Sequence, residues 1–226
     1  MDVSYVKIND VTKKLQGQVV LNKIDLHLEK GNIYGIQGKN GSGKTMLLRL
    51  ICGLIVPTEG SVEVAGKKLD SKNSFPESVG ILIEYPGFLP QYTGFKNLQL
   101  LAAIRKKIDD RRIREVLEIV GLDPNDRRKY RKYSLGMRQR LGIAQAIMED
   151  PDLLLLDEPT NALDADAVEN MRSLLLRMKQ EGKTIVIASH DREELEKLSD
   201  EKIIIERGTI VGRQRSEEFK KAGVTL

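Results

Sequence analysis

Apolar and polar positions change rhythm several times along this chain. Val3 to Thr12 opens with near-alternation through Val3, Tyr5, Val6 and Ile8, and Val19 to Glu29 alternates more cleanly through Leu21, Ile24, Leu26 and Leu28. A period of two predicts strands with one wet face. Ile33–Ile36, Val79–Ile83, Asp152–Leu156 and Thr184–Ala188 are instead short apolar runs, which read as buried strands. Ser61–Gly66 reads as an edge strand and turn, and Ile203–Ile205 with Thr209–Val211 as a closing hairpin about Arg207-Gly208. Helical spacing or helix-forming composition marks Thr45–Cys52, Phe95–Ile104, Asp109–Val120, Ser134–Ile147 and Ala165–Gln180. Ser134 suits an N-cap and Gly121 a helix end. Breaks fall at Pro57 and Gly60 and at Pro86, Gly87 and Pro90. Buried strands interleaved with helices predict an α/β fold. The expected core has a mixed sheet, with antiparallel strands near the N-terminus. A helical subdomain is expected over about 87–132, continuing into the helix 134–148, all within one domain of residues 1–226.

The candidate chemistry begins between the third strand and the first helix. Gly38-Lys39-Asn40-Gly41-Ser42-Gly43-Lys44-Thr45 reads G-x-x-x-x-G-K-T, the phosphate-cradling P-loop. Glycines let backbone N–H groups turn inward, and with the helix N-terminus they form an anion site. Gly38, Asn40, Gly41, Ser42, Gly43 and Met46 are therefore candidate nucleotide contacts. Lys44 can reach the β- and γ-phosphates, and Thr45 can ligate Mg²⁺. These features specify a P-loop NTPase core.

Four leucines run into Asp157-Glu158. Behind a P-loop, and followed by Pro159-Thr160, the first carboxylate is expected to hold Mg²⁺ and the second to orient or deprotonate the attacking water. His190 ends a strand where an imidazole could bond the γ-phosphate or that water. His27 has no partner at metal-ligand spacing and reads as a surface residue.

Composition adds limits. No apolar run approaches the ~18 residues of a membrane span. The start, Met1 to Tyr5, lacks signal-peptide segments, so a cytosolic chain is expected. Cys52 is the single cysteine and reads as packing. Net charge is +4 with a sequence pI near 9.0. The excess is local: Arg105 to Arg140 holds thirteen Lys/Arg against six Asp/Glu. A solvated helical surface explains it, and anionic lipid or nucleic acid is the alternative.

Taken together, the motifs resemble the ATP-binding cassette family. Tyr133-Ser134-Leu135-Gly136-Met137-Arg138-Gln139-Arg140 resembles the signature Leu-Ser-Gly-Gly-Gln and its basic run. Asn161-Ala162-Leu163-Asp164 resembles the D-loop, and Ser189-His190-Asp191 the switch histidine. The resemblance implies an ATP-dependent dimer of nucleotide-binding subunits. Each ATP would lie between one chain's P-loop and Ser134 and Gly136 of the other, where a helix N-terminus favours an anion. It also implies a separate transmembrane permease, with this chain peripheral on the inner face of the membrane and no nucleic-acid partner. The rival is a soluble cassette ATPase acting on ribosomes or DNA. Such proteins usually carry paired cassettes or long inserts, which this chain lacks. A small-molecule kinase is disfavoured by the Ser134, Gly136 and His190 elements.

The chain departs from the family pattern at Leu135 and Met137, at Glu84 where glutamine is usual, and at Leu15 where an aromatic ring would stack on adenine. Glu84 could still bind Mg²⁺. Leu15 would weaken base stacking, leaving Val20 as a further base contact and loosening preference for ATP over GTP. Ile83 to Phe88 and Tyr133 to Gly142 resemble the bacitracin-resistance and lantibiotic-immunity exporters, which implies export.

Overall fold

The computed structural model describes residues 4–70, 75–84 and 87–217. Val3 and Pro86 lie outside them. Two sheets form. β1 (Ser4–Leu15), β2 (Gln18–Glu29), β4 (Glu59–Val64) and β5 (Lys67–Lys68) make an antiparallel sheet in the order β2-β1-β4-β5. β3 (Ile33–Gln37), β6 (Val79–Leu82), β7 (Leu153–Asp157), β8 (Thr184–Ser189), β9 (Glu201–Glu206) and β10 (Thr209–Arg215) make the second, ordered β10-β9-β3-β8-β7-β6. Its strands are parallel except β10, which returns antiparallel on β9. The fold is therefore α/β with one antiparallel and one mixed sheet. β4 is not an edge strand, because the two-residue β5 covers it. So short and charged a pair as Lys67–Lys68 carries no period-two signal.

The helices are α1 (Lys44–Ile51), α2 (Gly94–Arg105), α3 (Asp110–Ile119), α4 (Leu135–Ile147), α5 (Ala165–Gln180) and α6 (Arg192–Leu198), with a 3₁₀ turn at Tyr130–Lys132. α6 and the 3₁₀ turn go beyond the sequence expectation. α6 is short and mostly charged, leaving little periodicity to read.

β7 shows how the layers close. Leu154 and Leu156 face a core shared with α2, α3, α4 and α5 through Leu98, Val116, Leu141 and Leu175. Leu153 and Leu155 face the opposite core, with Leu47 and Ile51 of α1 and Val6, Leu26 and Val62 of the antiparallel sheet. Each fully buried leucine contributes roughly 1.5–3 kcal/mol. A strand buried on both faces must be apolar at every position, and its first polar residue then falls at its C-terminal end. There, in an open parallel sheet, the crevice for ligands opens.

α2 and α3 enter the chain between β6 and β7 and pack on the α4 side. Phe88, Tyr130 and Tyr133 form an aromatic row beneath them, with Phe88 and Tyr130 edge-to-face at 5.2 Å. Cys52 and His27 sit as expected, the first buried and the second exposed beside Asn9. Among the described residues no helix is long and apolar enough to cross a membrane.

Candidate active site

The C-terminal ends of β3, β7 and β8 are neighbours in the sheet, so Gln37, Asp157 and Ser189 emerge together. The P-loop wraps the first of these ends. Gly43 takes a left-handed φ of 110° as the N-cap of α1, and α1 has no side-chain cap. Its first N–H groups are therefore left for an anion. A Cβ on Gly38 would lie 2.4 Å from Ser42 Oγ and 2.5 Å from the Ile205 carbonyl. The loop is drawn so tightly that only glycine fits there. Ser42 is buried, and its Oγ has no protein partner. An orphaned buried hydroxyl beside unpaired N–H groups fits a phosphate group. Lys44, also buried, donates to the Gly38 carbonyl at 2.7 Å and lies 3.5 Å from Glu158 Oε1.

Thr45 Oγ1 donates to Asp157 Oδ2 at 2.6 Å, so the two expected metal ligands already touch. Burial pushes the Asp157 carboxyl above its ordinary range. The Glu158 charge adds to this, while the Thr45 bond and the Lys44 ammonium oppose it. No group of three or more His, Cys, Asp or Glu among the described residues forms a metal cage. The donor set is one hydroxyl and one carboxylate, which suits Mg²⁺ completed by phosphate oxygens and water.

Glu158 follows in a left-handed conformation, φ 48°, with its N–H on the Ala188 carbonyl at 2.8 Å. That turn aims its carboxylate across to β8. It accepts from the His190 N–H at 3.1 Å and Ser189 Oγ at 3.2 Å, and lies 3.0 Å from His190 Nδ1. His190 itself is half-exposed, with 57% of its side chain open. Gln139, from α4, donates to the Glu158 and Pro159 carbonyls at 3.1 and 2.9 Å and ties that helix to the catalytic turn.

The depression beside the P-loop is lined by Val20, Asn40, Gly41, Met46, Asp157, Glu158 and Arg207, among others. Val20, expected from the sequence as a base contact, is one of these lining residues. Leu15 is not among the lining residues. It stands 39% exposed at the end of β1, and its cross-strand partner Gln18 takes the place beside Val20. The β9–β10 turn brings Arg207 in. Gly208 N–H donates to the Ser42 carbonyl at 2.7 Å, and Asn22 N–H to the Gly208 carbonyl at 2.8 Å. A Cβ on Gly208 would strike the Val20 carbonyl at 2.4 Å.

Glu84 is not on the Thr45–Asp157 pair. It sits at φ 58° after β6, and its Oε1 accepts from Arg49 Nη2 at 2.7 Å. Ser134 and Gly136 are likewise absent from the lining of the depression. Ser134 caps α4 by accepting from the Met137 N–H at 3.2 Å, and Gly136 packs near the Ala162 carbonyl. Sequence reading missed Arg49, Gln139, Ser189 and Arg207 as site residues. Only Ser189 and Arg207 carried a signal, as a strand end and a hairpin turn.

The comparisons agree with this geometry. The family model described as ABC transporter matches residues 21–161. An uncharacterised ABC transporter ATP-binding protein of Bacillus subtilis is 50% identical over 86% of this chain and 89% of its own length. A bacitracin transport ATP-binding protein of Enterococcus faecalis is 40% identical over 96% of this chain and 71% of its own. A lantibiotic transport ATP-binding protein of Streptococcus pyogenes is 33% identical over 91% and 89%. A bacterial ABC transporter cassette solved as a dimer superposes with a TM-score of 0.84 at 26% identity, over 93% of this chain and 98% of that one. The same cassette is also solved as a dimer in a post-hydrolysis state with ADP and Pi. No ribosome- or DNA-acting protein stands among these relatives. Family model, close relatives and the phosphate-ready loop converge, and the chain belongs to the ABC transporter family as an ATP-binding, ATP-hydrolysing subunit.

Proposed function

We propose that two copies of this chain close head to tail over two ATP molecules and that hydrolysis drives export through a separate membrane permease. The chain would then sit on the cytoplasmic side, held to the membrane by that permease. The relatives named for bacitracin and lantibiotic transport support the transport role. The observation that carries the reading is the Glu158 carboxylate, held by Ser189, His190 and Lys44 beside the Thr45–Asp157 pair.

In this reading Lys44 leaves the Gly38 carbonyl for the phosphates as the P-loop fills. Its departure frees Glu158 to accept a proton from the attacking water, while His190 keeps the carboxylate aimed. Mg²⁺, held by Thr45 and Asp157, would neutralise charge building on the phosphate oxygens. Glu84 gives its Oε1 to Arg49, so it would meet that metal through its other oxygen or by releasing Arg49. Ser134 and Gly136, outside their own chain's depression, serve the nucleotide of the second copy.

Glu158→Gln tests this directly. It keeps the shape and removes the base, so turnover should fall by roughly 10²–10⁴. ATP should now hold the chain as a dimer in sedimentation, since the nucleotide that bridges the copies persists. Wild-type hydrolysis in Glu158→Gln would remove Glu158 as the base. A monomer at saturating ATP, with binding confirmed, would remove the shared site.

A further inference from the structure

Behind Glu158 lies a second carboxyl group that the reaction as described does not use. Glu194, on the first turn of α6, is only 7% exposed. It stands three residues after the N-cap Asp191, where a glutamate ordinarily reaches back to the N-cap N–H. Glu194 does not do so. That N–H donates instead to Ser189 Oγ at 3.0 Å. Glu194 turns inward: its Oε2 accepts from Thr160 Oγ1 at 2.8 Å and lies 3.4 Å from Ser189 Oγ. Its Oε1 is buried without a protein partner.

Ser189 is the crux, because its hydroxyl has one hydrogen and two carboxyl groups within reach. Glu158 Oε2 is 3.2 Å away and Glu194 Oε2 is 3.4 Å away. A hydroxyl donates once and accepts twice. Were Glu194 ionised, both carboxylates would compete for that hydrogen. A buried anionic oxygen, Oε1, would also be left unpaired, which is costly. With the Glu194 proton on Oε2 the hydroxyl accounting closes, and Oε1 is left as a neutral carbonyl-type oxygen, less costly to bury unpaired than an anion. Ser189 Oγ accepts from Glu194 and from the Asp191 N–H, and its hydrogen goes to Glu158. Glu194 Oε2 still accepts from Thr160.

We infer that Glu194 is a positioning residue for ATP hydrolysis: protonated, it donates to Ser189 and so commits the Ser189 hydroxyl to the Glu158 carboxylate. The inference rests on Glu158 as the base. The surrounding charges favour it. Burial raises the Glu194 carboxyl above its usual range, and the nearby Asp191 and Glu158 charges raise it further. The Thr160 and Ser189 hydroxyls oppose the shift. The cationic side chain at this turn, Lys44, and the His190 ring are both directed to Glu158. Gln139 approaches from α4 as a neutral amide on the backbone. As pH rises through the elevated Glu194 value, the proton leaves, Ser189 is shared between two anions, and Glu158 keeps its His190 contacts but loses sole claim on the Ser189 hydroxyl.

The test measures kcat and KM for ATP across pH for wild type, Glu194→Ala, Glu194→Gln and Ser189→Ala, with Glu158→Gln as control. Glu194→Ala and Ser189→Ala should each lower kcat about tenfold, a cost in keeping with a misaligned group, and leave KM within about twofold. Their combination should cost no more than either alone, since both break one chain of bonds. Glu194→Gln, whose amide can donate to both hydroxyls, should recover kcat to within about threefold and lack the alkaline fall of wild type. Three results would overturn the inference: Glu194→Ala with wild-type kcat, Glu194→Gln as impaired as Glu194→Ala, or superimposable pH profiles for wild type and Glu194→Gln. The last needs only the conservative variant, so it holds even if the alanine form does not fold. Full turnover in Glu158→Gln would overturn the base itself. An inactive Glu158→Gln beside an unimpaired Glu194→Ala overturns only the part given to Glu194.

Discussion

Helices α1 and α4, both proposed to meet phosphate, start in opposite ways. At α1 the N-cap is glycine, no side chain caps the helix, and the adjoining Ser42 hydroxyl is buried and unpaired. At α4 the N-cap is Ser134, whose hydroxyl satisfies the Met137 N–H, and the next residue, Leu135, is 53% exposed. The first helix start is a finished receptor within one chain. The second is stable alone, closed by its own hydroxyl and turned to solvent, as suits a surface completed by another copy. A cap replacing the anion costs little, since a Ser cap is worth about 1 kcal/mol.

The sharpest way to break this comparison is to disable each start separately. Gly38→Val would fill the cradle and should weaken ATP binding about a hundredfold, the scale of an overpacked site. Ser134→Arg should leave binding at the P-loop of its own chain and abolish the dimer. Mixed together in equal amounts, the two inactive chains should recover at most about half of wild-type turnover. Neither chain pairs with itself, and each mixed dimer holds one intact site of two. No recovery, with mixed dimers verified, would mean that each chain is self-sufficient.

A smaller effect is expected at Glu84. Released from Arg49, its carboxylate would favour the metal, since hard cations prefer anionic oxygen. Arg49→Ala should lower the Mg²⁺ needed for half-maximal hydrolysis, and Glu84→Gln should raise it, each by about two- to fivefold. Superimposable Mg²⁺ curves for the three proteins would keep Glu84 with Arg49 and away from the metal.

The smallest effect belongs to the base. Leu15→Ala should change ATP affinity less than about twofold, whereas Arg207→Ala should cost about threefold, as expected for an exposed charge. GTP should compete within about tenfold of ATP, since no aromatic ring lines the depression among the described residues. These are competition titrations. Strong ATP selectivity, or a large Leu15 effect, would put the adenine nearer the β1–β2 turn.

Much of this was legible in the chain because the decisive signals are local. α5 runs over Ala165–Gln180 as its spacing predicts, and β7 ends in Asp157 where its leucines stop. The P-loop, Asp157, Glu158 and His190 meet because buried strands deliver them to one end of one sheet. What stayed hidden depends on pairing across the fold. Nothing near Glu84 in sequence announces Arg49, thirty-five residues earlier. Nothing near Glu158 announces Gln139 or Glu194. α6 did carry a readable sign, Asp191 followed three residues later by Glu194, but the carboxylate serves the neighbouring turn instead of the cap. Leu15 lies outside the lining of the depression, since counting along a strand does not give the twist and bulges of β1, where the register with β2 shifts four times.

The order in which the strands are made has its own consequence. β3, which carries the P-loop, lies between β8 and β9, and the loop is held from outside by Gly208. During synthesis Gly38 to Thr45 leaves the ribosome about 150 residues before its flanking strands exist, a pairing of high contact order and therefore slow. A nascent chain thus holds the nucleotide motif long before it holds a nucleotide site. A chain stalled before β9 would carry the motif without that strand beside it and without the Gly208 bond that holds the Ser42 carbonyl.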